Sequence, residues 1–225
     1  MLPHDITQTN VAVRRLIDAT ANPRHRFLLM AFDRHRNLEM AGRYEELFAP
    51  DMMVGEPVYH IRANRANLKL EGAEVVKSLY RMWAATNQSV FYTESEEVAV
   101  ADNFVASVAV GYQQVSGRSL RINKILSYVP RFLAEGLVKR VLARGKFEAD
   151  DNAMYLYKST YQMFWPYDAQ GRLLGEDIWE PDPDKAEITK LDPADVLTME
   201  QSRRLLDPFI KPLPSHDEMV HGARA

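Results

Sequence analysis

The run Val54-Gly55-Glu56-Pro57-Val58-Tyr59-His60 sets a carboxylate and an imidazole four residues apart in a segment that reads as a strand. Side chains alternate faces along a strand, so Glu56 and His60 share one face, roughly 13 Å apart. A substrate lying along that strand would meet an acid at one end and a base at the other. Desolvation in an apolar cavity raises a carboxylate's pKa, which suits general acid–base work. The plainer alternatives are a surface glutamate at a turn and a satisfied core histidine. Tyr59 and Tyr92 add phenols that orient a hydroxyl or pass a proton, or else serve as ordinary sheet aromatics. Glu94 and Glu176 are further strand carboxylates; Glu94 reads as exposed sheet edge, while burying Glu176 would be costly without a purpose.

A second pattern lies in 152–182. Every second residue from Tyr155 is Tyr155, Tyr157, Ser159, Tyr161, Met163 and Trp165. One face of one strand therefore carries four large rings, as core, as a subunit interface or as the wall of a pocket for a flat ligand. Trp83 and Tyr112 are further candidates for cavity wall or core. His25 and His35 fall ten residues apart on one helix among Arg24, Arg26, Arg34 and Arg36, too far to share an ion. That segment reads as a solvated charged face.

These residues need elements to hold them. Residues 1–21 are polar and then weakly helical, an N-terminal arm. Asn22-Pro23 is a helix start, and helical spacing follows through Phe27, Met30, Ala31, Leu38 and Ala41. RYEELFAPDM is a short second helix ended by Pro50, MMVGEPVYHI a strand, RANRAN a turn, LKLEG a short return and AEVVKSLYRMWAAT a third helix. Period-two alternation then gives a hairpin over 88–115 and, later, strands at 154–165 and 173–180. Residues 116–153 interrupt this sheet as a basic, helix-like insertion, read either as a lid or as an oligomer contact. The tail, 181–225, holds a short helix and wraps the surface. The order is α+β, helices early and an antiparallel sheet late; such a sheet, bent and closed by helices, makes a cone-shaped barrel with an internal cavity.

Composition narrows the classes. Hydrophobic residues make up 46% and charged residues 26%, as expected for a globular core. A net charge of −3 argues against a nucleic-acid surface. The absence of cysteine removes disulfides, thiol nucleophiles and thiolate metal sites. Neither a signal-peptide pattern nor a membrane-span pattern is visible, so a cytoplasmic protein is expected. The motifs for nucleotide, flavin and zinc sites are absent from the sequence, and the expectation is no cofactor and no metal.

GRYEELFAPDMMVGEP, LEGAEVVKSLYRMW and YDAQGRLLGEDIWE, in this element order, resemble the nuclear transport factor 2-like superfamily, over about residues 25–180 apart from the insertion. Ketosteroid isomerases, scytalone dehydratase, polyketide cyclases and a lindane dehydrochlorinase belong to it. The resemblance places Glu56 at the carboxylate base of the isomerases' V-x-D-P pattern. It sets Phe32 where their oxyanion tyrosine stands and Met163 near their protonated aspartic acid. Asn37 and Phe91 fall near the Asp–His pair of the dehydratase and dehydrochlorinase, and His35 lies two residues before that acidic position. If an active site is kept, the resemblance implies that it has been rebuilt, with Phe32, His35, Phe91 and Met163 as pocket residues. If Met163 faces the cavity, so does the whole Tyr155–Trp165 face, and the last strand turns Glu176 inward beside Leu174 and Ile178.

Among the bacterial members the longer form is similar to the diarylpropane lyases of lignin-dimer catabolism. This resemblance implies a cofactor-independent lyase that strips water and formaldehyde from a 1,2-diarylpropane-1,3-diol to leave a stilbene. Glu56 and His60 would be acid and base, Tyr59 or Tyr92 would handle the phenol, and Tyr155, Tyr157, Tyr161 and Trp165 would hold the rings. The expected partner is a small hydrophobic aromatic substrate, in a homo-oligomer. A dehydratase, isomerase or cyclase for a steroid- or polyketide-like ligand, and a non-catalytic binding protein, remain as alternatives.

Overall fold

The first long helix starts where Asn22-Pro23 predicts: the Asn22 side chain accepts from the N–H groups of Arg24 and His25, and Pro23 occupies the first turn. The computed structural model describes residues 4–63, 66–120 and 150–222. Its order is α1 (Val11–Ala19), α2 (Pro23–Met40), a 3₁₀ turn (Tyr44–Phe48), β1 (Met53–Arg62), β2 (Leu68–Glu71), α3 (Ala73–Ala85), β3 (Phe91–Ala101), β4 (Phe104–Ser116), β5 (Met154–Pro166), β6 (Leu173–Trp179), β7 (Glu187–Lys190), α4 (Met199–Leu206) and α5 (His216–His221). This is a mixed α+β chain. Most of the insertion, 121–149, lies outside the described residues.

The seven described strands form one sheet in the order β2-β1-β6-β5-β4-β3, with β7 paired to the start of β5. The β1–β6 pair is parallel and the other pairs are antiparallel. The sheet does not close on itself; β2 and β3 end the strand order. Period two in β5 survives intact: Tyr155, Tyr157, Ser159, Tyr161 and Trp165 are all buried.

One face of the sheet is covered by α2 and α3. Leu28 and Phe32 of α2, Val76 and Tyr80 of α3, Tyr59 and Ile61 of β1, and Tyr161 and Trp165 of β5 share one core. The Phe32 and Trp165 rings lie 4.3 Å apart. Side chains of this size contribute roughly 1.5–3 kcal/mol each on burial. The core stripe of α2 continues at helical spacing from Leu28 through Phe32, His35 and Glu39, all buried. The solvated charged face expected for this helix is therefore partial: His25 pairs with exposed Asp102 at 2.7 Å, whereas His35 and Arg36 are buried.

Both chain ends are built into this frame. Val13 of the 1–21 stretch joins the main core, and Arg14 meets Asp33 of α2 at 3.2 Å. The tail adds β7 to the sheet, a strand the sequence reading lacked because EITK is short and exposed at every position. It then caps α4 with a Thr198–Gln201 box, and Ser202 Oγ donates to the Met40 carbonyl at 2.6 Å.

Candidate functional site

Between α2, α3 and the sheet lies a cavity of about 100 Å³. Its walls are aromatic: Trp83 from α3, Phe91 and Tyr92 from β3, Tyr112 from β4, and Tyr161 and Trp165 from β5, with Met163 beside them. Its charged groups come from two elements, Arg36 and Glu39 from α2 and Glu176 from β6. All three are at least nine-tenths buried.

The electrostatics follow from that burial. Desolvation pushes the Glu39 carboxyl well above its ordinary value, and the neighbouring Glu176 pushes it further, against the pull of Arg36. Desolvation likewise raises Glu176 to about 7, opposed by Trp165 and Arg36. The Trp165 indole N–H comes close enough to Glu176 to lower its pKa, yet completes no hydrogen bond of good geometry. Two dry carboxyl groups whose pKa values are both raised can present an acid and a base to the same cavity. Arg36 is fixed by Glu96, its Nη1 donating to both carboxylate oxygens at 2.8 and 3.0 Å, and its guanidinium lies over the Phe32 and Phe91 rings.

Behind the carboxylates runs a buried hydroxyl chain. Tyr80 Oη donates to Tyr59 Oη at 3.2 Å, which leaves Tyr80 to accept from His35 Nε2 at 3.3 Å. His35 Nε2 is also 4.0 Å from Glu39 Oε2. Burial, with Arg36 beside it, lowers His35 to about 3, so the ring stays neutral.

The expected site residues divide accordingly. Tyr92, Trp83, Phe91, Tyr112, Tyr161, Met163, Trp165 and Glu176 come together on the cavity. Glu56 and His60 do share a face, but it is the outer one. Both are exposed, and His60 Nδ1 pairs with Asp177 Oδ1 at 2.6 Å. The reason is the register of β1, which turns Pro57, Tyr59 and Ile61 into the core and so turns their neighbours out. Tyr59 is buried in the hydroxyl chain, off the cavity wall. Phe32 is packed core against Trp165, and His35 sits one layer behind Glu39. Tyr155 and Tyr157 face inward but belong to a separate cluster with Val115 and Leu120, where Tyr157 Oη donates to buried Glu180 at 2.7 Å. On β6, Glu176 and Ile178 do turn inward, while Leu174 turns out and Leu173 takes the core, because the strand is irregular at Gly175.

Glu39, Arg36 and Tyr80 carry the site's polar chemistry and were not among the expected site residues. The signal for Glu39 was present: Phe32, His35 and Glu39 follow one another at three- and four-residue steps along the core stripe. For a metal, His216, Asp217 and His221 of α5 bring ligand atoms within 4.8 Å of one another. There Arg24 Nη1 already donates to His216 Nε2 at 3.1 Å, which sets a cation beside that cluster. None of the three lines the cavity.

No protein-family model matches the chain, and no curated protein matches it. Among solved structures, the CaMKII hub of S. rosetta aligns at a TM-score of 0.40 and 11% identity, over 69% of this chain and 95% of that one. A likeness at that level leaves the functional reading to this chain's own residues.

Proposed function

We propose that the chain is a cofactor-independent acid–base lyase for a neutral, hydrophobic, phenol-bearing substrate. The observation that carries this reading is the Glu39/Glu176 pair, two buried carboxyls with raised pKa values at the wall of an aromatic cavity. With one of the two protonated and the other ionised, the pair delivers and accepts protons at pH 7 without metal or redox help. Arg36 is neutralised by Glu96, so the cavity offers little to a carboxylate ligand and favours an uncharged one.

With the sheet and helices read as a cone around this cavity, the resemblance to diarylpropane lyases supplies the substrate class. The ionised carboxyl takes the para-phenol proton of a 1,2-diarylpropane-1,3-diol while the protonated carboxyl gives its proton to the benzylic hydroxyl. That hydroxyl leaves as water and a quinone methide forms within the substrate. A carboxylate of the pair then takes the proton of the terminal hydroxyl. The C–C bond breaks, its electrons refill the quinone methide, and formaldehyde departs. The proton returns to the phenolate, so substrate becomes stilbene, water and formaldehyde, and the pair again holds one proton. Tyr92, Tyr112, Tyr161 and Trp165 hold the rings, and Trp165 Nε1–H steadies the ionised form of Glu176.

The test is an ultraviolet absorbance time course with a diguaiacylpropanediol and no added cofactor. The expected result is growth of a conjugated stilbene band with one equivalent of formaldehyde. A flat trace from folded protein overturns the lyase reading.

A further inference from the structure

The inward face of the sheet carries another buried carboxyl, one that the acid–base chemistry leaves unused. Glu180 directly follows β6 and is 4% exposed. Its Oε1 accepts from Tyr157 Oη at 2.7 Å, and Tyr157 is fully buried. Taking a carboxyl and a phenol out of water is costly unless they serve the fold or a ligand.

Their place in the sheet favours a ligand, because three residues of the cavity wall are their strand neighbours. Gln113 of β4 is the Cα partner of Tyr157. Gln162 pairs with Trp179, which sets Tyr161 beside Glu180 on the inward face. The Glu180 N–H donates to the Arg62 carbonyl at 2.8 Å, which sets Ala63 on its other side. The cavity therefore ends against Tyr157 and Glu180. Tyr161 shows the same closeness: burial raises its phenol well above the ordinary value, and Glu180 and then Tyr157 raise it further. The Tyr161 ring lies on the sheet at Gly111, where a Cβ would come within 3.2 Å of it. A side chain at 111 would push that ring toward the cavity, so the glycine keeps room along β5.

The spacing then has a meaning. Glu176 and Glu180 are four residues apart on one face, roughly 13 Å along the strand. That is about the reach of two phenol rings joined end to end by a two-carbon bridge. Glu39 and Glu176 stand at one end, Tyr157 and Glu180 at the other, and Trp165, Met163 and Tyr161 line the side between them.

We infer that Tyr157 and Glu180 form a hydroxyl-binding site for the second ring of the substrate, so that the chain selects two-ring compounds with a phenol at each end. This rests on the reading of Glu39 and Glu176 as acid and base, and it adds a specificity element to that site. A carboxylate offers about four acceptor positions, of which Tyr157 takes one. The second phenol donates to Glu180 beside it. A ring without that hydroxyl forfeits a hydrogen bond in a dry site, a loss of about ten- to a hundredfold in affinity.

The test is binding rather than turnover. The probes are a stilbene with a para-hydroxyl on each ring and its analogue with a hydroxyl on one ring, followed by quenching of Trp83 and Trp165 at the cavity wall. The wild type is expected to bind the double phenol about ten- to a hundredfold more tightly. Glu180→Gln is expected to remove most of that preference and to leave the affinity for the single phenol unchanged. Equal binding of the two probes, binding of neither, or a Glu180→Gln variant that weakens both alike overturns the proposal. Should Glu180→Gln lose its circular-dichroism signature, Glu180→Asp decides: it keeps the carboxyl, draws it back by one methylene, and is expected to lose the same preference. A chain that discriminates between the probes yet turns over no diguaiacylpropanediol sinks the lyase reading and keeps the hydroxyl site. A chain that turns it over without discriminating sinks the hydroxyl site alone.

Discussion

At the scale of single residues, the site turns on two glutamates whose burial sets their protonation. Glu176 stands at about 7, so near neutrality it is the group whose state changes with small pH steps. Replacing it by Gln keeps the shape and removes the titration. Glu176→Gln and Glu39→Gln are each expected to lower kcat about 10²- to 10⁴-fold with KM little changed. In the wild type a limb of the pH–rate profile is expected near 7, and Glu176→Gln should erase it. A limb that survives the substitution assigns it to another group. Trp165 acts on the same proton from the other side, because its N–H favours the ionised carboxylate. Trp165→Phe removes that donor but keeps an aromatic wall. The limb near 7 is then expected to move up; a limb that stays or falls would show that the indole N–H does not tune Glu176.

At the scale of elements, β6 is the strand that presents Glu176 inward and Asp177 outward, and it does so through one glycine. Gly175 has φ of +155°, and a Cβ there would lie 1.8 Å from the Val58 carbonyl oxygen of β1. Any side chain must push the parallel β1–β6 pair apart or shift its register. Gly175→Ala is therefore expected to destabilise the fold by about 3 kcal/mol or more, read as a lowered urea midpoint. A midpoint within experimental scatter of the wild type would mean that the pairing tolerates the methyl group. The same strands mark what the sequence could and could not disclose. On β5 the alternation of aromatic with polar residues fixes the buried face without ambiguity. On β1 both registers are partly apolar, since Val58 competes with Tyr59 and Ile61, and Tyr59 and His60, being adjacent, cannot both face the cavity. Tyr59 wins because its hydroxyl finds Tyr80, a long-range partner that no local pattern encodes. Glu39 was legible in principle on the α2 stripe, but a glutamate at a core position becomes a site only when β6 brings Glu176 to it, and that pairing depends on topology. The short strand β7 has no period to read.

At the scale of the whole molecule, the buried titratable groups pull stability in opposite directions. Glu39 and Glu176 have folded pKa values above the roughly 4.3 of an unfolded glutamate, Glu176 at about 7. Between those values the folded chain binds more protons than the unfolded one, so stability falls as pH rises. The Glu176 contribution is complete below the unfolded value and is lost as pH climbs through about 7, a change of about 4 kcal/mol; Glu39 acts in the same direction. His35 has the opposite sign. Its folded pKa is depressed to about 3, so its contribution is complete above the unfolded imidazole's range and is lost as pH falls toward 3. Where the windows overlap, between about pH 4.5 and 6.5, the one imidazole offsets only part of the slope of the two carboxyls, and stability is expected to fall gently as pH rises. Thermal melts across pH separate the two causes. Relative to wild type, Glu176→Gln should gain Tm at pH 8, where the wild type buries an ionised carboxylate, and should gain little at pH 4.5. His35→Gln should flatten the acid limb and leave the alkaline limb in place. A Glu176→Gln variant that loses stability equally at both pH values would mean that the carboxyl is held for its packing, and the acid–base pair would lose its thermodynamic support along with it.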